Sequence, residues 1–112
     1  MVGFGKDFKN KKQKITKNEN RNTEKIINQA FLLHSQGNIK EALKNYKYCI
    51  DKGVHDDRIY SNYGLILKSC GYAKQAEKIL RKAIEINPNS HTAHTNLGTI
   101  LKDLQRFKEA EI

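Results

Sequence analysis

The stretch NYGLILK at residues 62–68 returns almost unchanged as NLGTILK at residues 96–102. Five of the seven letters match, and the two stretches lie 34 residues apart. A repeat at a fixed spacing of this size predicts an array of small structural units. The same spacing reveals a third, fainter copy upstream, in which Ala30 and Leu33 fall in register with Gly64 and Leu67.

The 34-residue register divides the chain into a tail and three copies. The tail covers residues 1–22, two complete copies cover 23–56 and 57–90, and a partial third copy covers 91–112. Apolar residues make up 38% of the sequence, which is little for one deep core. Stacked repeats need less, because each unit buries its apolar face against its neighbours.

Each copy is predicted to form a helix, a tight turn and a second helix. In the second copy, four residues share one stripe of the first helix: Tyr60, Tyr63, Gly64 and Leu67. Gly71 predicts the turn, because glycine takes the left-handed conformation that other residues resist. Five apolar residues then form the stripe of the second helix: Ala76, Ile79, Leu80, Ala83 and Ile84. Pro88 ends that helix. The small residues Gly64 and Ala76 predict a close approach of the two helices.

This pattern resembles the tetratricopeptide repeat, which has aromatic and glycine positions in its first helix and alanine, aromatic and proline positions later. Tyr60 and Leu80 stand here at aromatic positions, and Pro88 stands at the proline position. The resemblance covers residues 23–112 and implies an all-α solenoid of helix–turn–helix units. The array also resembles the amino-terminal recognition segments of bacterial proteins that continue into glycosyltransferase or sulfotransferase domains. A truncated module of such an enzyme is therefore an alternative interpretation.

Function is expected on the stripe of each first helix that packing does not use. The resemblance implies that this stripe lines the concave side of a superhelix, where Asn28, Asn62 and Asn96 would form a ladder. Similar ladders occur in the repeats of O-linked N-acetylglucosamine transferases. An asparagine amide offers two donors and an acceptor, so the ladder would pair with a passing peptide backbone. The alternative is that asparagine is simply common at this position in the family.

The predicted peptide-binding groove consists of Asn28, Phe31, Arg58, Asn62, Leu65, Lys68, Asn96, Thr99 and Lys102. Phe31 lies off the packing stripe and marks either a contact or packing against the tail or the first turn. Lys68, Lys102 and His34 share one repeat position and favour acidic partners. The carboxylate clamp of chaperone-binding relatives is not expected, because its positions hold Ile27, Phe31, Thr92 and Asn96 instead.

Neither catalysis nor a cofactor is expected from this sequence. His91 and His94 are too few for a closed zinc site, and His94 is interpreted as a packing residue at the first aromatic position of its copy. Cys49 is expected to be a small buried group, and Cys70 is expected near the turn. Asp56 and Asp57 are interpreted as a helix start. Two cysteines without a CxxC motif favour a reduced, cytoplasmic protein, and no apolar run approaches the roughly 20 residues of a membrane span.

The tail concentrates positive charge. Residues 1–22 carry a net charge of +5, against +4 for residues 23–112, and are predicted to be disordered. The segment KDFKNKKQKITK has six lysines among twelve residues. It favours weak binding to RNA or to an anionic surface, and the alternative is a solvated tail.

The third copy is expected to stop about one turn into its second helix. Its apolar residues would then lack half of their packing partner: Leu97, Leu101, Leu104, Phe107 and Ala110. Arrays of repeats normally need a polar cap at each end. Self-association through this copy and low protection against hydrogen exchange after residue 91 are therefore expected.

Overall fold

A computed structural model describes residues 17–110 and shows an all-α chain, which confirms the predicted fold class. Within residues 17–110 the helices are α1 (Lys17–Ser35), α2 (Ile39–Asp51), α3 (Asp57–Ser69), α4 (Ala73–Ile86) and α5 (His91–Ala110). They form two compact units that divide between Val54 and His55. In the first unit α1 packs on α2; in the second, α3, α4 and α5 all contact one another.

The turns follow from glycines placed after the helices. Gly71 has φ 91° and ends α3, as the sequence predicts. The amide of Tyr72 donates to the Leu67 carbonyl at 2.8 Å, and the amide of Gly71 donates to the Lys68 carbonyl at 3.0 Å. These two bonds satisfy carbonyls that the end of the helix would leave unpaired. Gly37 ends α1 in the same way with φ 80°.

The predicted turn in the third copy is wrong, because α5 continues through it to Ala110. The position that Gly37 and Gly71 hold in the earlier copies is Gln105 in the third. A residue with a Cβ adopts the left-handed conformation only at a cost, so nothing stops the helix there. Among the described residues, positive φ angles occur only at glycines.

The first helix begins earlier than the repeat register predicts. α1 starts at Lys17 and not at Thr23, so the last six residues assigned to the tail are helical. The rest of the predicted tail, residues 1–16, lies outside the described residues. Its predicted disorder and its RNA or surface binding therefore stay predictions.

The core of the second unit forms where α4 meets α3 and α5. Ala76 and Leu80 of α4 are fully buried and cluster with Leu97 and Ile100 of α5. Burial of one leucine side chain contributes about 1.5–3 kcal/mol. On the α3 side, a Cβ placed on Gly64 would lie 2.7 Å from Leu80 Cγ. The predicted close approach of the two helices therefore occurs, and Gly64 makes it possible.

The core of the first unit centres on Tyr46, which is fully buried. Its hydroxyl lies 3.1 Å from Nδ1 of His34, so the buried phenol keeps a hydrogen-bond partner. Cys49 is also fully buried, as predicted, and Cys70 is exposed. The two alanines Ala30 and Ala42 are fully buried as well.

Two predictions about packing in the third copy need correction. His94 does not pack; it is exposed, and its Nε2 lies 2.8 Å from the Pro88 carbonyl oxygen. The preceding residue, Ala93, is the one that is fully buried. Leu97 and Leu104 do have packing partners, because Leu97 belongs to the cluster with Ala76 and Leu80, and Leu104 packs against that cluster. Leu101 is 41% exposed, and the side chains of Phe107 and Ala110 lie outside the described part.

The two repeat-equivalent glycines should respond oppositely to alanine. Gly64→Ala should lower the free energy of unfolding by about 1 kcal/mol, because the overpacking against Leu80 exceeds the gain in helix propensity. Gly98→Ala should raise it by about 0.5–1 kcal/mol, because a Cβ there meets nothing within 4 Å. Urea unfolding followed by circular dichroism measures both. Equal stabilisation by the two substitutions would contradict this, because it would show that the Leu80 side chain moves away from residue 64 with no loss in the free energy of unfolding.

A candidate peptide-binding face on α3 and α5

The predicted groove residues are divided between the two units. Asn28 and Phe31 lie on α1 in the first unit. The other predicted residues lie on two contacting helices of the second unit: Arg58, Asn62, Leu65 and Lys68 on α3, and Asn96, Thr99 and Lys102 on α5. These seven residues make up the α3–α5 face.

Asn62 and Asn96 hold equivalent repeat positions on the α3–α5 face. Both side chains are half-buried, and neither amide makes a hydrogen bond with another described residue. Nδ2 of Asn96 is shielded from solvent and has no partner among the described residues. An unsatisfied buried donor costs about 1–3 kcal/mol of stability, so a hydrogen bond from this amide to the acceptor of a ligand would be favourable.

Lys68 and Asp103 connect the two helices of the face. Nζ of Lys68 lies 3.8 Å from Oδ2 of Asp103, and about two thirds of each side chain is shielded. The pair neutralises Lys68, so the positive edge predicted for this position is weaker than the sequence suggests. His34, which shares this repeat position, is hydrogen-bonded to Tyr46. Lys102 is exposed and makes no ion pair with any described residue.

Arg58 is committed to the start of α3. Its Nε donates to Oδ1 of Asp56 at 3.0 Å, and its Nη2 donates to Oδ2 at 2.6 Å. The backbone amide of Arg58 also donates to Oδ1 of Asp56, which is the N-cap residue. The predicted helix start is therefore confirmed. The side-chain hydrogen bond from Arg58 lowers the pKa of Asp56, despite partial burial that acts in the opposite direction.

The remaining members of the face are less distinctive. Leu65 is half-buried, and Thr99 is exposed with its hydroxyl donating to the Thr95 carbonyl at 3.0 Å.

The two predicted groove residues of the first unit lie on α1, where Asn28 is exposed. Phe31 is half-buried with its ring centroid 6.1 Å from that of Tyr46, so part of this ring packs on α2. This contact with α2 is neither of the two packing partners predicted for Phe31, the tail and the first turn.

Sequence reasoning missed the two carboxylates that hold cations in this region. Asp56 was assigned only to the helix start, and its grip on Arg58 follows from their separation of two residues. Asp103 lies one repeat plus one residue after Lys68, which places the two side chains on adjacent helices. This spacing was the available signal for the pair.

Within residues 17–110, no group of three or more histidine, cysteine or acidic residues is placed to hold a metal ion. None of the described helices combines the length and the apolar character needed to cross a bilayer.

Two family models match the chain, and both describe the tetratricopeptide repeat. One matches residues 57–90, which contain α3 and α4, and the other matches residues 79–112, which begin within α4 and contain α5. Together they cover half of the 112 residues. No curated protein matches the sequence. The chain belongs to the tetratricopeptide repeat family. Such repeats generally mediate protein–protein interactions, and their domains are typically non-catalytic scaffolds.

The Asp56 cap should give α3 a contribution to stability that depends on pH. Asp56→Ala should lower the free energy of unfolding by about 1 kcal/mol at neutral pH, and Asp56→Asn should lower it less, because asparagine also caps. The folded pKa is lowered, so the charge-dependent part is complete above the ordinary carboxyl pKa of about 4. It is lost as the pH falls through the lowered value. Urea unfolding at a series of pH values measures this loss. A difference between wild type and Asp56→Asn that stays constant into acid would contradict it.

Proposed function

We propose that the second unit binds an extended peptide segment of a protein partner on the α3–α5 face. The observation that carries this proposal is the pair of asparagines at one repeat position, Asn62 and Asn96. Their amides take no part in holding the helices together, as far as the described residues go. The repeat family supports a protein as the partner.

The asparagine amides would recognise the main chain of the peptide. Each can donate to a peptide carbonyl and accept from a peptide N–H, which is the pattern that an extended backbone presents. Half-burial strengthens such bonds, because water competes less for the same groups. Asn28 holds the equivalent position in the first unit, and we extend the same role to it there.

The charges on the face favour broad recognition. Lys68 is neutralised by Asp103, and Arg58 is held by Asp56. Of the three cations on this face, only Lys102 makes no hydrogen bond or ion pair with the described residues, so an acidic peptide gains little over a neutral one. Leu65, half-buried between Asn62 and Lys68 on α3, adds an apolar contact.

Replacing both asparagines should weaken peptide binding sharply. Linear peptides selected on the wild-type chain from a phage-displayed library would serve as probes. Asn62→Ala with Asn96→Ala should lower their affinity about 30-fold, since two lost hydrogen-bonding groups cost about 1 kcal/mol each. Titration calorimetry measures the change. Methylation of the peptide nitrogens should weaken binding to the wild type and matter little to the double variant.

Asn89→Ala is the matched control, because Asn89 is an exposed asparagine in the turn before α5 and lies off the face. It should leave the affinity unchanged. A library that yields no binder to the wild type would contradict the proposal. So would a double variant that binds as tightly as the Asn89→Ala control.

We also propose that α5 associates with a second copy of itself. Gly64 is covered by Leu80, but the equivalent Gly98 faces open space beside the exposed Leu101. A small residue next to an exposed leucine allows two helices to approach closely in a symmetric contact.

Leu101→Gln should therefore abolish any concentration-dependent increase in sedimentation coefficient. Leu32→Gln replaces a leucine of α1 that is 50% exposed and serves as the control that should change nothing. A wild-type chain that stays monomeric at all accessible concentrations would disprove the association.

A further inference from the structure

The outer surface of α4 carries a stripe of cations that neither the core nor the α3–α5 face uses. Lys74, Lys78 and Arg81 fall at i, i+4 and i+7, so they lie along one side of the helix. All three are exposed. Glu85 follows at i+11, and it ends the stripe with a negative charge.

The same charge pattern occurs on α2, one repeat earlier. Lys40, Lys44 and Lys47 occupy the equivalent positions and are exposed, and Asp51 ends the stripe in place of Glu85. Four charged positions out of four therefore keep their sign across the 34-residue period. The three cations of α4 form the α4 stripe, and those of α2 form the α2 stripe.

The packing of the fold does not require these cations. The apolar residues of α4 that build the core, Ala76, Leu80 and Ala83, are fully buried on another side of the helix. Like charges four residues apart repel, so Lys74 beside Lys78 costs the helix stability. Any polar helix former would serve the fold better at these positions.

Most of the stripe is available to a ligand. Lys74 and Lys78 make no ion pair with another described residue, nor do Lys40 and Lys47. Arg81 lies 2.9 Å from Glu77 and Lys44 lies 3.4 Å from Glu41. Exposed pairs of this kind contribute about 0–1 kcal/mol and exchange readily for a better anion.

The first turn of α4 strengthens the attraction for anions. It contains no acidic residue, and no side chain caps its first amides. The positive end of the helix dipole therefore lies beside Lys74 and Lys78. Three cations over about 10 Å of helix match a ligand with several negative charges in a row.

The surroundings of the stripes favour nucleic acid over a membrane. Lipid insertion needs exposed apolar side chains, and the large hydrophobic residues exposed in the described part do not include any on the outer side of α4. Aromatic rings do accompany the cations. Tyr48 directly follows Lys47 and is 44% exposed, and Tyr72 directly precedes α4 and is 56% exposed. Exposed rings beside cations are what single-stranded bases stack upon.

We propose that the outer sides of α2 and α4 each bind the phosphodiester backbone of single-stranded nucleic acid, with Tyr48 stacking on a base. The two stripes share no residue with the α3–α5 face or with the lysines of the tail. They would allow the chain to contact a nucleic acid and a protein partner through different residues.

Charge removal on the α4 stripe tests the proposal in the full-length chain. The probe is a fluorescein-labelled oligouridylate, and fluorescence anisotropy is measured over a series of KCl concentrations. Lys74→Gln with Lys78→Gln and Arg81→Gln should weaken binding at least ~10-fold at about 0.05 M salt. The slope of log K against log salt should fall in magnitude by about 2, because each lost phosphate contact removes about 0.7. Glutamine keeps a similar helix propensity, so circular dichroism should be unchanged.

A charge-matched control separates the stripe from net charge. Lys25→Gln with Arg106→Gln and Lys108→Gln also removes three exposed cations, but none of them lies on α4 or α2 or in the tail. This variant should keep the wild-type slope. An equal loss in the two variants, or no loss in the α4 variant, would overturn the proposal. The tail is present in both variants, so its contribution cancels.

The ligand class is tested with two other polyanions. Polyglutamate and vesicles of phosphatidylserine with phosphatidylcholine should bind more weakly than oligouridylate, and the α4 variant should change their binding little. If the α4 variant loses as much affinity for polyglutamate or for the vesicles as it loses for oligouridylate, the stripe is a site for that class of ligand and not for nucleic acid. Tyr48→Ala should lower oligouridylate affinity at least ~5-fold, and Tyr48→Phe should retain it, because stacking needs the ring alone.

Discussion

The close approach of α3 and α4 at Gly64 is the constraint on which the second unit depends. Leu80 occupies the volume that any side chain at residue 64 would need, and it is itself fully buried. Because Leu80 also belongs to the cluster with Leu97 and Ile100, the same side chain connects the α3–α4 contact to α5. The position of α3, which carries Asn62, relative to α5, which carries Asn96, is therefore set by the packing of Leu80 on the opposite side of α3.

Repeat positions that share a residue do not share an environment. Gly64 and Gly98 are equivalent in sequence, yet one is covered by Leu80 and the other is open. Leu67 packs at the edge of the core, whereas the equivalent Leu101 is exposed. A repeat in the sequence specifies which residues share one side of each helix. The neighbours that follow in the chain decide which faces are covered.

The helices, their turns and the second-unit core could be predicted from the sequence, because they rest on local spacing and on glycine chemistry. Gly71 and Pro88 each act over a few residues, so their effects are readable without a structure. The repeat register predicts a turn within α5, but Gln105 stands where the earlier copies have glycine and the helix continues through it. The partner of Lys68 was missed for another reason. Whether Lys68 pairs with Asp103 depends on the distance between the two helices. The position of a residue on a helix stripe tells which way its side chain points, but it does not give that distance.

Each complete copy separates its chemistry between its two helices. The first helix carries the asparagine, as Asn62 does on α3, and the second carries the cations, as Lys74 and Lys78 do on α4. Apolar residues occupy the sides along which the helices meet, so polar groups are sorted to the remaining sides by the packing itself. A substitution on one surface should then leave the other intact, since exposed sites without shared partners add nearly independently. The fold thus permits the asparagine surface and the cation surface to change independently within a single repeat.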